Sequence, residues 1–184
     1  DFVRQTDARP PLADTFVRML HDDENIYLFI NCFEPNMKGI VAKAKQRDSL
    51  AYPYIWDDDA IELFISPDAA TPGRTVQLII NSQGTIVDGC FGSSEFKHPL
   101  EFKYDSKVEC RTGKDKNGWT LELAIPKKSL VLDGVPPAKK WRMNICRDRN
   151  VSNIDTKEME RSSWSPPLSL QWNVPGRFGN VTLE

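Results

Sequence analysis

Two tryptophans stand apart from the other three in this sequence, because loop residues surround them in place of an apolar alternation. Trp56 follows Ala51-Tyr52-Pro53-Tyr54-Ile55 and precedes Asp57, Asp58 and Asp59, while Trp172 lies in a proline-rich stretch running from Pro166 to Pro175. An indole held on a stiff loop is a flat apolar plate with little rotamer freedom to lose, which suits the C–H face of a pyranose ring. The same settings suit an indole packed beneath a long loop, and position alone leaves both readings open. Polar partners are expected from the neighbouring strands, Ala60 to Ser66 and Thr75 to Asn81. Their apolar sets are Ile61, Leu63, Ile65 and Val76, Leu78, Ile80, so if those face the core, Glu62, Gln77 and Asn81 face outward. A carboxylate and two amides on one sheet face can pair with sugar hydroxyls, although an ordinary solvated face has the same composition.

Other chemistries find less support. Asp57, Asp58 and Asp59 are weak calcium candidates, since calcium takes about six to eight oxygen ligands and a short run supplies only some of them. Asp59 and Glu62 are three residues apart on an extended strand, so they point to opposite sides and make a poor glycosidase pair. The two histidines, His21 and His98, lie in polar loop settings, and no G-x-S-x-G, H-E-x-x-H or phosphate-binding glycine loop occurs. Histidine and methionine could still serve as axial ligands in a haem-binding sandwich, which is the main alternative to sugar binding; a glycoside hydrolase using Glu62 is the weaker one. Cys32, Cys90, Cys110 and Cys146 contain no C-x-x-C pair and read as buried thiols. A Cys90–Cys110 disulfide would require their segments to be neighbouring strands.

The elements that must position these residues have a period of two. Ile26 to Phe33 alternates Ile26, Leu28, Ile30, Cys32 with Tyr27, Phe29, Asn31, Phe33, and comparable segments run at 15–20, 60–66, 75–81, 85–91, 107–112, 119–126, 141–149 and 180–184. Breakers such as Asn117-Gly118, Asp133-Gly134 and Pro136-Pro137 separate them. The expectation is all-β: a jelly-roll-like antiparallel β-sandwich of about nine strands in two sheets, one domain over residues 1–184. Trp119 and Trp141 open apolar alternations and are expected in the core, with Trp164 a core residue at a strand end. Residues 127–132 allow a short helical turn, and residues 37–56 a long loop over one sandwich edge.

Composition narrows the partners. Lys plus Arg total 24 against 26 for Asp plus Glu, a net charge of -2, too weak a field to attract nucleic acid or anionic lipid. The longest apolar runs fall far short of the roughly 20 residues that span a bilayer. No secretion signal opens the sequence, so an extracellular or periplasmic address would depend on a signal outside it.

The sequence resembles the family 9 carbohydrate-binding modules. The resemblance is carried by Asn25 to Ile30, by Trp56-Asp57-Asp58-Asp59-Ala60-Ile61-Glu62-Leu63-Phe64-Ile65, by Gln77 to Asn81, by Gly118 to Pro126 and by Trp141 to Ile145. Ser163-Trp164-Ser165, Trp172 and Pro175-Gly176-Arg177-Phe178-Gly179-Asn180 complete it. It implies a non-enzymatic module needing no cofactor, with structural calcium possible, in which Trp56 and Trp172 sandwich a sugar while Glu62 and Asn81 bind its hydroxyls. It also implies an oligosaccharide or polysaccharide partner and a catalytic domain tethered in a longer protein. One departure stands out: where some members carry an arginine two residues before the asparagine, this chain has Ile79, and Arg147 and Arg74 are the candidate replacements.

Overall fold

Alternating burial defines the strands. Asn25–Phe33 buries Ile26, Leu28, Ile30 and Cys32 and exposes Tyr27, Phe29, Asn31 and Phe33, the pattern of a strand packed on one side only. The computed structural model describes residues 1–94, 104–150 and 159–184. Eleven strands are formed among them: β1 (Val3–Arg4), β2 (Thr15–His21), β3 (Asn25–Phe33), β4 (Ala60–Ser66), β5 (Thr75–Asn81), β6 (Ile86–Phe91), β7 (Glu109–Lys114), β8 (Gly118–Pro126), β9 (Lys140–Asn150), β10 (Met159–Ser163) and β11 (Gly179–Thr182). A seven-stranded sheet runs β1-β10-β9-β4-β5-β6 with β11 also paired to β9, and a four-stranded sheet runs β2-β3-β8-β7. All pairs are antiparallel.

The core lies between the sheets. Ile61, Leu63, Ile65, Val76, Leu78 and Ile80 face Ile26, Leu28, Ile30, Leu121, Leu123 and Ile125, and Trp119 and Trp141 are fully buried with them. Each such aliphatic side chain contributes about 1.5–3 kcal/mol on leaving water. Trp164 departs from expectation, being 38% exposed. Its ring lies over Gly179, where a Cβ would come within 2.7 Å of it, on the inward side beside Met143 and Ile145 at the open edge between the sheets.

The segment at 37–56 does not hang over an edge. It crosses the outward face of the seven-stranded sheet, where Ala44 and Ile55 pack on Ala60, Ile79 and Val87. A second loop, between β10 and β11, lays Trp172 and Phe178 over Phe64 and Cys146 on the same face. Every residue of β4 and β5 is consequently buried. Two strands escaped the periodicity: β1 is two residues long, and β10 (MERSS) is almost wholly polar. A 3-10 turn forms at Lys127–Leu130 as expected. Cys90 is on β6 and Cys110 on β7, in different sheets, so the disulfide expectation fails and none is formed.

Candidate functional site

Glu62 is the centre of the site, and its strand register explains its company. On the outward face of β4 it sits opposite Ile79 of β5 and Cys146 of β9, with Phe64 and Gln77 one step along and Asp148 one step back. Glu62, Gln77 and Asn81 face away from the core as expected, but that face is not a solvated one, because the two crossing loops bury them to 5%, 7% and 0% exposure. A buried polar group must find partners or remain costly. Gln77 Nε2 donates to Glu62 Oε2 at 2.7 Å.

The other partner of Glu62 is a residue that the sequence did not single out. Glu62 hydrogen-bonds Asp148, also fully buried, whose Oδ1 accepts from Arg161 Nε at 3.0 Å. Burial first, and then the neighbouring Asp148 charge, pushes the Glu62 carboxyl well above the ordinary range. Asp148 is also raised by burial, but the bond from Glu62 and the Arg161 charge hold it down. Those opposing effects favour the proton on Glu62 over Asp148, whose buried Oδ2 has no other partner. Two carboxyls in direct hydrogen-bond contact are too close for glycosidase chemistry, which needs roughly 5 Å or more between them.

Trp172 completes one wall. It is 8% exposed and packs on Phe64, Cys146 and Phe178, with the two phenyl rings 5.7 Å apart. Its indole N–H approaches Asp148 and helps hold that carboxyl down, short of a hydrogen bond of standard geometry. Asn144 fixes the loop: its Nδ2 donates to Ser165 O at 2.8 Å and its Oδ1 accepts from Ser165 N at 3.0 Å. Glu62, Phe64, Gln77, Phe91, Trp172 and Asn173 line an open cleft of about 370 Å³, with Gln171 at its rim. Asn173 Oδ1 is buried there with no hydrogen-bond partner.

Trp56 lies beside this cleft without lining it. It rests on the cluster containing Ile79 and Val87, and Tyr54 stacks on one face of its indole at 5.0 Å and 9°. Tyr52 in turn meets Tyr54 edge-on at 5.8 Å. Ile79, at the position of the family arginine, belongs to that apolar cluster. Neither candidate replacement reaches the cleft: Arg147 points between the sheets and donates to Asp14 O and Phe33 O, and Arg74 pairs with Asp133. The guanidinium that pairs with the carboxyls behind the cleft is Arg161, delivered by the polar strand β10, and it does not line the cleft either.

Asn81 is placed elsewhere. Its Nδ2 donates to Ala44 O at 3.0 Å and Asp58 Oδ2 at 2.9 Å, and its Oδ1 accepts from Gln83 N and Thr85 N, so its amide has no capacity left for a ligand. The acidic run does similar work. Asp58 accepts from Lys43 N and Ala44 N, Asp59 accepts from Val41 N and Asn150 N, and Asp57 is exposed. The carboxylates of Asp58 and Asp59 are thus engaged by N–H donors, and Asp57 is the exposed carboxylate of the run. Among the described residues no group of three or more His, Cys, Asp or Glu is arranged to hold a metal. His21 lies near Lys127 and Asp22, and His98 falls outside the described residues. No helix among the described residues is long and apolar enough to cross a membrane.

Residues 2–184 match the family described as carbohydrate family 9 binding domain-like. No curated protein matches in sequence. Among solved structures, a protein from Bacteroides uniformis ATCC 8492, provisionally described as carbohydrate-binding, superposes with a TM-score of 0.73 at 17% identity, covering 100% of this chain and 86% of that one. A family 9 carbohydrate-binding module from Caldicellulosiruptor kristjanssonii superposes in its cellotriose complex with a TM-score of 0.65 at 12% identity, covering 100% and 80%. Its glucose complex gives 0.63 at 11%, covering 100% and 84%.

Proposed function

Because the chain belongs to the carbohydrate family 9 binding-domain-like family, and is therefore a non-catalytic carbohydrate-binding module, we propose that the Glu62 cleft is where it holds its sugar. The observation that carries this reading is the meeting, in one open cleft, of the Trp172 indole with the hydrogen-bonded Glu62–Gln77 pair. The ring's C–H face lies against Trp172, with the Tyr54–Trp56 stack as the second aromatic flank. Gln77 and Asn173 take hydroxyls, and Glu62 fixes them together with Asp148. Asn81 orders the loop beneath and touches no sugar. Glucose and cellotriose, bound by the Caldicellulosiruptor module, support gluco-configured oligosaccharides as the first ligands to test.

Aromatic contacts of this kind give about 1 kcal/mol each beyond area burial, so millimolar to micromolar affinity is expected. In the full protein the module would act outside the cytoplasm and hold an attached catalytic domain close to polysaccharide. Titration calorimetry against an oligosaccharide panel tests the site. Trp172→Ala and Gln77→Ala should each weaken binding about tenfold or more, equivalent to about 1.4 kcal/mol, and Trp56→Ala by less. Unchanged affinity in correctly folded Trp172→Ala and Gln77→Ala proteins, judged by circular dichroism, would remove the cleft from consideration.

A further inference from the structure

On the far side of the sandwich, the outward face of the four-stranded sheet carries apolar groups that nothing among the described residues covers. Phe16 is 62% exposed, Leu20 72%, and Tyr27 and Phe29 37% each, and a shallow groove of about 840 Å³ runs over Leu20, Tyr27 and Phe29. Strand register arranges the face in rows. One row crosses the strands as Arg18, Phe29, Glu122 and Arg111. The next crosses as Leu20, Tyr27, Ala124 and Glu109. Arg18, Arg111, Glu109 and Glu122 are all exposed, and among the described residues none of the four makes an ion pair.

We propose that this face joins two copies of the chain about a two-fold axis that lies across the four strands, between these two rows. Such an axis sets Arg111 of one copy against Glu109 of the other, twice, and Phe29 against Tyr27, twice. Arg18 lies over Leu20 with its apolar stem, and Glu122 over Ala124, so no like charges meet. An axis running along the strands would instead oppose Arg18 to Arg111, which selects the first arrangement. Four strands about 4.8 Å apart and six to nine residues long give each copy roughly 450 Å² of footprint. Two such footprints fall near the lower bound of about 1,000 Å² for a specific interface, so the dimer is weak and reversible. Granting the sugar site proposed above, the two clefts then face opposite ways roughly 30 Å apart, the span of three sheet spacings, and two glycan strands can be gripped at once.

Sedimentation velocity on the 184-residue chain, without sugar, tests this from about 1 μM to about 1 mM. The expected result is a mass rising from 21.0 kDa towards twice that value, with the transition moving to higher concentration in added salt. Arg111→Glu and Glu109→Arg should each remain monomeric over the range. Their equimolar mixture restores both opposite-charge contacts and should dimerise again. Both substitutions are on exposed positions, and unchanged urea midpoints will establish that the variants fold. A monomer at every concentration, or variants that stay monomeric when mixed, would overturn the proposal. So would a monomer whose oligosaccharide affinity falls in Tyr27→Ala, which would give this face to glycan instead. Because no sugar enters the main measurement, its failure leaves the cleft assignment untouched.

Discussion

With Gln77 donating to Glu62 and Arg161 donating to Asp148, burial of both carboxyls opposite one guanidinium favours a proton on Glu62 and a single negative charge on the pair. The groups facing Glu62 are Gln77 from β5, Asp148 and the Cys146 thiol from β9, Arg161 from β10 and, through Asp148, Trp172 from the loop. A carboxyl whose folded pKa is raised binds more protons folded than unfolded. Its contribution is therefore full below the unfolded value near 4.5 and is lost as pH climbs through the folded one. Asp59, raised from 3.8 to about 6 mainly by burial, acts in the same direction over that lower window. Glu34 runs the other way: burial raises it, but the bonds from Arg149 and Asn36 N and the Arg149 and Arg147 charges together outweigh burial, so its contribution is lost in acid. We expect the urea midpoint to fall as pH rises from about 4.5 towards alkaline conditions, and Glu62→Gln, which can still donate to Asp148, to flatten the upper part of that fall. An equal slope in wild type and Glu62→Gln would show that Glu62 is not the group being titrated. Sugar affinity should follow the same curve, because two ionised carboxyls would drive Glu62 out of its place beside Trp172.

At the scale of elements, the site is a sheet face roofed by two loops, and the fastening of those loops sets how well it is preformed. Asn81 ties the 40–46 segment to β5 through Ala44 O and Asp58 Oδ2. Asn81→Ala should leave the Asp58 carboxylate short of a donor and cost about 1–3 kcal/mol in a denaturant titration. Its effect on sugar affinity should be small and follow loop order, whereas a large affinity loss without loss of stability would return Asn81 to the ligand-binding set. The same loops explain what the sequence could and could not reveal. Alternation placed β3, β4, β5, β8 and β9 closely, because one apolar face per strand is a local signal. It put Glu62 and Gln77 on the correct side of β4 and β5. It could not show that this side is covered, since the covering residues Ala44, Ile55 and Trp172 come from segments with no period. Asp148 and Arg161 stayed hidden for a related reason: one sits in the polar run Arg147-Asp148-Arg149, the other on the polar strand β10, and only the β9–β10 register unites them. Gly179 makes a second fastening, at the β11 edge. Gly179→Ala would force its Cβ to within 2.7 Å of the Trp164 ring, and a fall of several degrees in Tm is expected.

For the whole molecule, the two sheets enclose one core, and the cysteines report on it. Cys32 and Cys146 are fully buried, Cys32 against the four-stranded sheet's partner Trp119 and Cys146 beneath Trp172. Burial pushes the Cys32 thiol from 9.0 up to about 12 and raises Cys146 well above its usual value as well, with the nearby carboxyls adding to the second shift. The thiolate is the reactive form, so both shifts lower its fraction at neutral pH before access is considered. Neither thiol can meet a reagent unless the sheets separate or the Trp172 loop lifts. Alkylation followed by mass spectrometry at neutral pH should therefore label Cys32 only at the rate of global unfolding, and urea that shifts the folding equilibrium should accelerate it in proportion. Cys146 lies under the loop alone, so it should react faster than Cys32 if the Trp172 loop opens independently. An oligosaccharide seated against Trp172 should then slow Cys146 and leave Cys32 unaffected. Labelling of both at one rate, with or without sugar, would mean that the roof of the cleft and the core open as a single cooperative unit, and that the site is as rigid as the sandwich beneath it.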